Sequence, residues 1–184
     1  IALELAKHNG PMERPALLLY APGLELIAAF LACLSVGVIP TLVPPPRRHE
    51  SLTRWQHIMV DADVSAILTT EATQKDVAPL LTRSVYRSTQ NSKSNQNSRS
   101  LRAVDWLATD TLKTSSDSSD KSFRGAFPTP EKIAFLQYTS GSTSHPKGVM
   151  VTHGNLAHNL QQIQTAFGQL DIKSADIQSD IAKP

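Results

Sequence analysis

Between residues 16 and 81, short apolar runs alternate with longer stretches of helical spacing, and this alternation restricts the fold more than any other feature of the chain. Residues 16–20 (ALLLY) and 39–43 (IPTLV) are nearly continuous apolar runs, which suits strands covered on both faces. Residues 65–68 are a third strand-like run. Between the first two, residues 24–36 are apolar almost all round, as in a helix buried on most sides. Between the second and third, apolar side chains fall at 52, 55, 58, 59 and 62. That is a helical period over 51–63, with Ser51 placed to cap and Trp55 in the core stripe rather than at a binding site. Residues 71–81 predict one more helix, and residues 1–7 the end of another, stopped by His8, Asn9, Gly10 and Pro11. Strands and helices in strict alternation predict an α/β fold, a mostly parallel sheet flanked by helices. A membrane span is not expected. Residues 26–39 give only 14 uncharged residues between Glu25 and Pro40, short of the roughly 20 a bilayer needs.

A second feature bears on chemistry. Residues 135–150 read FLQYTSGSTSHPKGVM, an apolar lead-in, a small-residue loop and an apolar exit. This predicts strand, loop, strand. Thr139, Ser140, Ser142, Thr143 and Ser144 place five hydroxyls within six residues. Gly141 and Gly148 allow positive φ or close approach of backbone N–H groups to a ligand. Lys147 adds one ammonium after the stiff Pro146. Many small donors and one cation suit a polyphosphate, whose charge is spread over several oxygens. The same composition also describes an ordinary surface hairpin. A Walker loop is excluded, because Lys147 precedes Gly148 and no helix is expected to open directly after it.

The residues Thr139-Ser140-Gly141-Ser142-Thr143 with Pro146-Lys147-Gly148 resemble the nucleotide-phosphate loop of the acyl-adenylating (AMP-forming) synthetases and ligases. The flanks Leu136-Gln137-Tyr138 and Val151-Thr152-His153-Gly154-Asn155-Leu156, with Asn159, are most similar to fatty acyl-AMP ligases. Residues 16–20, Pro22-Gly23 and 37–48 (GVIPTLVPPPRR) resemble the early core of the same group. The likeness covers roughly 1–82 and 129–168. Many superfamily members carry glycine where this chain has Ser144. The resemblance implies the N-terminal part of the large domain of an adenylate-forming enzyme. It also implies that Thr139, Ser140, Gly141, Ser142, Thr143, Lys147 and Gly148 bind the phosphates of ATP, with Mg2+ as companion ion. In that family a fatty acid carboxylate attacks the α-phosphorus, pyrophosphate leaves, and the acyl-adenylate passes to an acyl carrier protein. Relatives place the adenine and ribose contacts, the acidic magnesium ligand, the acyl tunnel wall and a C-terminal lysine further along. Nothing in residues 171–184 resembles those motifs, so no catalytic or metal-binding residue is assigned here, and the 184 residues alone are expected not to catalyse adenylation. An acyl-CoA synthetase, a peptide-synthetase adenylation domain and a non-catalytic truncated remnant are the alternatives.

The remaining sequence bounds the organisation. From 83 to 100, eleven of eighteen residues are Ser, Asn or Gln, and no acidic residue occurs between Asp76 and Asp105. Such a tract buries too little apolar area to offset its ordering entropy. Residues 83–128 therefore read as a polar, mobile insertion, with a brief return to the sheet near 104–107. It separates a first α/β portion (1–82) from the loop hairpin and its following helix (129–170), leaving an unassigned tail at 171–184. Apolar residues at 156, 160, 163 and 167 predict that this last helix faces a core. Arg47, Arg48 and His49 read as a solvated loop ahead of phosphate or carboxylate capture. His153 and His158, five apart, miss the geometry of a helical zinc pair. A net charge of +2, with Tyr86 as the lone aromatic of the basic tract, points to no nucleic-acid partner. The one cysteine, Cys33, lies in an apolar run, so a buried thiol is expected rather than a nucleophile or disulfide, in a reducing and hence cytoplasmic compartment.

Overall fold

The run at 16–20 becomes strand β1 (Ala16–Leu19), in which every residue is buried. The computed structural model describes residues 1–2, 4–5, 14–46, 52–91, 104–112, 128–139 and 146–167, with 82–91 described by their backbone alone. β1 lies between two parallel neighbours, β2 (Pro40–Leu42) and β3 (Ala66–Thr69). Outside β3 runs β4 (Asp105–Ala108), also parallel. Outside β2 runs β5 (Ile133–Thr139), parallel again, and β6 (Lys147–Thr152) closes that edge antiparallel. The sheet order is β4-β3-β1-β2-β5-β6. The mostly parallel α/β fold expected from the alternation is the one observed.

Period-2 alternation along the strands sends side chains into two cores. Leu17, Leu19, Ile67 and Leu136 pack with Trp55, Ile58 and Met59 of helix α2 (Thr53–Asp61) and with Val77 and Leu81 of helix α3 (Glu71–Asn91). Ala16, Leu18 and Leu68 face the other way, against Ala29, Cys33 and Val36 of helix α1 (Leu24–Val36). Leu5, in the short helical piece near the start, joins this second core. Gly37 ends α1 at φ 74°, a left-handed conformation that glycine adopts without a Cβ penalty.

Three elements differ from expectation. Helix α1 buries only one side: Leu24, Ile27 and Leu31 are more than half exposed, because no described element covers its outer face. Helix α3 runs ten residues past the expected end at 81, into the tract read as an insertion. Nucleation is the costly step, and Val77 and Leu81 anchor the first turns to the core. Extension through Ser, Thr and Gln then costs only tenths of a kcal/mol per residue. The third difference is at helix α4 (His153–Phe167), where no residue is buried and Leu160, Ile163 and Phe167 are exposed. The apolar stripe exists, but no described element lies across it. Ser51 lies outside the described residues, and α2 begins from Leu52 without a side-chain cap. The return to the sheet near 104–107 is β4. No described helix is long and apolar enough to cross a membrane.

Candidate phosphate-binding hairpin

β5 and β6 form the expected strand, loop, strand. Their register pairs Phe135 with Val151, Leu136 with Met150, Tyr138 with Gly148 and Thr139 with Lys147. Thr139 and Lys147 thus face each other at the mouth of the hairpin, and both are exposed. Ser140, Gly141, Ser142 and Thr143, which the sequence also assigns to the loop, lie outside the described residues. Because β5 is parallel to β1–β4, the mouth opens at the carboxyl ends of the parallel strands, the edge where open α/β sheets bind ligands. Among the described residues no carboxylate pairs with Lys147. A free ammonium opposite a hydroxyl suits an anion with several oxygens and offers a divalent cation no carboxylate ligand.

The hairpin base is fixed by Tyr138. Its hydroxyl donates to Asp61 Oδ2, the last residue of α2, at 2.5 Å. Burial, and then the hydrogen bond and charge of Asp61, push the Tyr138 hydroxyl well above its usual range, so it stays protonated and a donor. On the other arm, the Tyr138 ring lies against Gly148. A Cβ built there would come within 2.9 Å of Cζ. Gly148 has no positive φ. Here glycine answers the ring of its cross-strand partner rather than an unusual backbone angle. Phe135, facing α1, meets Phe30 edge-on at 5.6 Å between centroids.

The residues after the loop orient α4. Thr152 Oγ1 accepts from the Asn155 amide at 3.1 Å, and Asn155 Oδ1 accepts from the Thr152 amide at 3.1 Å. This reciprocal capping box uses Asn where Glu or Gln is usual. The Gly154 amide donates to the Pro130 carbonyl at 2.8 Å, and a Cβ there would meet that oxygen at 3.0 Å. The segment Thr152-His153-Gly154-Asn155 therefore seats the helix on the turn before β5. A threonine three residues ahead of a short polar acceptor was the sequence signal for it. Nothing in sequence spacing connected Asp61 to Tyr138, 77 residues apart.

The neighbouring strand ends are tied together as well. Tyr20, just past β1, is hydrogen-bonded to Thr109 Oγ1 at 2.8 Å, and Thr109 donates to the Thr69 carbonyl at 3.3 Å. Thr69 Oγ1, fully buried, donates to the Leu19 carbonyl at 2.6 Å. Asp110 Oδ1 accepts from the first amide of α3 at 2.8 Å. These contacts hold β1, β3 and β4 to a common edge.

Over 171 residues the chain is 39% identical to the medium-chain-fatty-acid–[acyl-carrier-protein] ligase JamA of Moorena producens, covering 91% of this chain and 26% of that protein. It is 33% identical over 167 residues to the long-chain-fatty-acid–AMP ligase FadD23 of Mycobacterium tuberculosis, with the same coverage of each. Among solved structures, the fatty acyl-adenylate ligase of L. pneumophila, in complex with acyl adenylate and pyrophosphate, superposes with a TM-score of 0.64 at 32% identity. That match covers 92% of this chain and 26% of the other. The chain thus spans about a quarter of the length of the relatives it matches. Residues 4–178 match the family of AMP-binding enzymes, and the chain belongs to that family.

Proposed function

We propose that this chain supplies the triphosphate-binding part of a fatty acyl-AMP ligase, which activates a fatty acid as its adenylate for transfer to an acyl carrier protein. The observation that carries the reading is the placement of Thr139 and Lys147 across the hairpin mouth, at the carboxyl edge of a parallel sheet. Similarity to an acyl-carrier-protein ligase and to a fatty acid–AMP ligase supports the substrate and acceptor. One buried free cysteine accords with a reducing, cytoplasmic setting.

In this reading the fatty acid carboxylate forms a bond to the α-phosphorus of ATP. The bridging bond to the β-phosphate breaks, and pyrophosphate leaves with the negative charge. Mg2+ accompanies ATP as counter-ion to its phosphates. Lys147, the hydroxyls of Thr139, Ser140, Ser142 and Thr143, and the amides at Gly141 and Gly148 hold the β- and γ-phosphates. Donors fixed where charge accumulates favour the transition state over the ground state.

The test is fatty-acid-dependent pyrophosphate release by the intact protein that carries this chain. Lys147→Ala should lower kcat/KM for ATP by about 10²–10³. Combining it with alanine at Thr139, Ser140, Ser142 and Thr143 should leave no measurable turnover. An undiminished rate in that combined variant would remove the basis of the assignment.

A further inference from the structure

We infer that Tyr138 and Asp61 form a positioning pair that holds the loop mouth in register for the triphosphate; this rests on the phosphate-binding reading above. Tyr138 is the residue immediately before Thr139, and its cross-strand partner Gly148 immediately follows Lys147. The two candidate ligands are therefore the next pair along the ladder, one step beyond the tyrosine. The ring spans both arms, since it lies so close to Gly148 that a Cβ there would force the ring to shift. The hydroxyl anchors the hairpin to an element remote in sequence, donating to Asp61 Oδ2 at 2.5 Å, the length of a charge-assisted O–H···O bond. The ring also packs against the core that contains Trp55, Ile58 and Met59 of α2. β2 pairs with β5 only as far as Gln137 and β6 has no described strand on its outer side, so the hairpin tip beyond is otherwise free to twist. Anchoring at Asp61 fixes that twist, and with it the separation between the Thr139 hydroxyl and the Lys147 ammonium.

The pair touches no reacting atom in this scheme, so its loss should appear in ATP binding rather than in the chemistry. Steady-state kinetics of pyrophosphate release by the intact protein, with denaturant midpoints in parallel, make the test. Tyr138→Phe keeps the ring on Gly148 and removes only the hydroxyl. It should raise KM for ATP about three- to tenfold, the range of one net hydrogen bond, with kcat and KM for the fatty acid held within about twofold. Asp61→Ala should match it, and the double variant should be no worse than either single one. Asp61→Asn, which keeps an acceptor oxygen, should recover most of the loss. If Lys147→Ala impairs ATP use while Tyr138→Phe leaves KM for ATP unchanged, the hairpin still binds phosphate and the positioning role is wrong. Equal losses for both substrates, or additive effects in the double variant, would likewise overturn the pairing. If Lys147→Ala has no effect, the phosphate reading fails first and the inference falls with it.

Discussion

The ring of Tyr138 and the backbone of Gly148 are in contact across the β5–β6 ladder, with 2.9 Å between Cζ and the place a Cβ would occupy. A ring that close leaves no room for a methyl group, and the ring itself is held by Asp61 at its far end. Gly148→Ala should therefore destabilise the chain by about 1–3 kcal/mol, through overpacking rather than backbone strain. Urea unfolding checks this. Adding Tyr138→Leu, which vacates the space, should recover part of the loss.

Thr41 sits fully buried in β2, between Leu17 of β1 and Leu136 of β5, and its hydroxyl has no hydrogen-bond partner among the described residues. A buried donor left unsatisfied carries a desolvation cost that an isosteric methyl group does not. Thr41→Val should raise stability by about 1 kcal/mol in the same unfolding assay. A loss of that size would mean the hydroxyl is satisfied.

Cys33 is buried on the inner face of α1, and burial pushes its thiol from 9.0 up to about 12. In the folded chain it should resist iodoacetamide at pH 8, reacting only at the rate of unfolding. The linkage has a definite sign. The raised folded value means the thiol's contribution is complete below pH 9 and is lost as pH rises towards 12, because the unfolded chain releases its proton first. Stability measured across that window should fall, and Cys33→Ala should flatten this part of the profile.

The α4 stripe gives a contrasting case. Leu160 and Phe167 are 57% and 76% exposed. Replacing both with Gln should shift the unfolding free energy of this chain by less than about 0.5 kcal/mol per site. Losses of 2 kcal/mol or more at each would show that the stripe is covered. By contrast Thr152→Ala, which breaks the capping box with Asn155, should cost about 1 kcal/mol and reduce helical circular dichroism.

Much of the architecture was legible because it rests on local pattern. Continuous apolar runs at 16–20 and 39–43 need cover on both faces, and a parallel sheet between helices is the arrangement that provides it. Apolar spacing at 55, 58, 59 and 62 chose the buried side of α2 correctly, Trp55 included. The loop motif placed the turn between β5 and β6, with Thr139 and Lys147 at its mouth. Where pattern misled, it did so on cover. Apolar residues in α1 and α4 mark faces able to be buried, and periodicity does not say whether another element arrives to bury them.

The sequence by itself determined where most strands and helices lie, which faces are apolar, and that a hydroxyl-rich turn with one lysine interrupts the chain after Tyr138. Those properties follow from side-chain volume, period and backbone preference, all read from near neighbours. Only the tertiary structure decided that β1 is central, that Thr139 faces Lys147 at the carboxyl edge, and that Asp61 holds Tyr138 from 77 positions away. Such contacts arise from strand order and crossover, where the free energy of packing joins residues that carry no mark of each other in the linear chain.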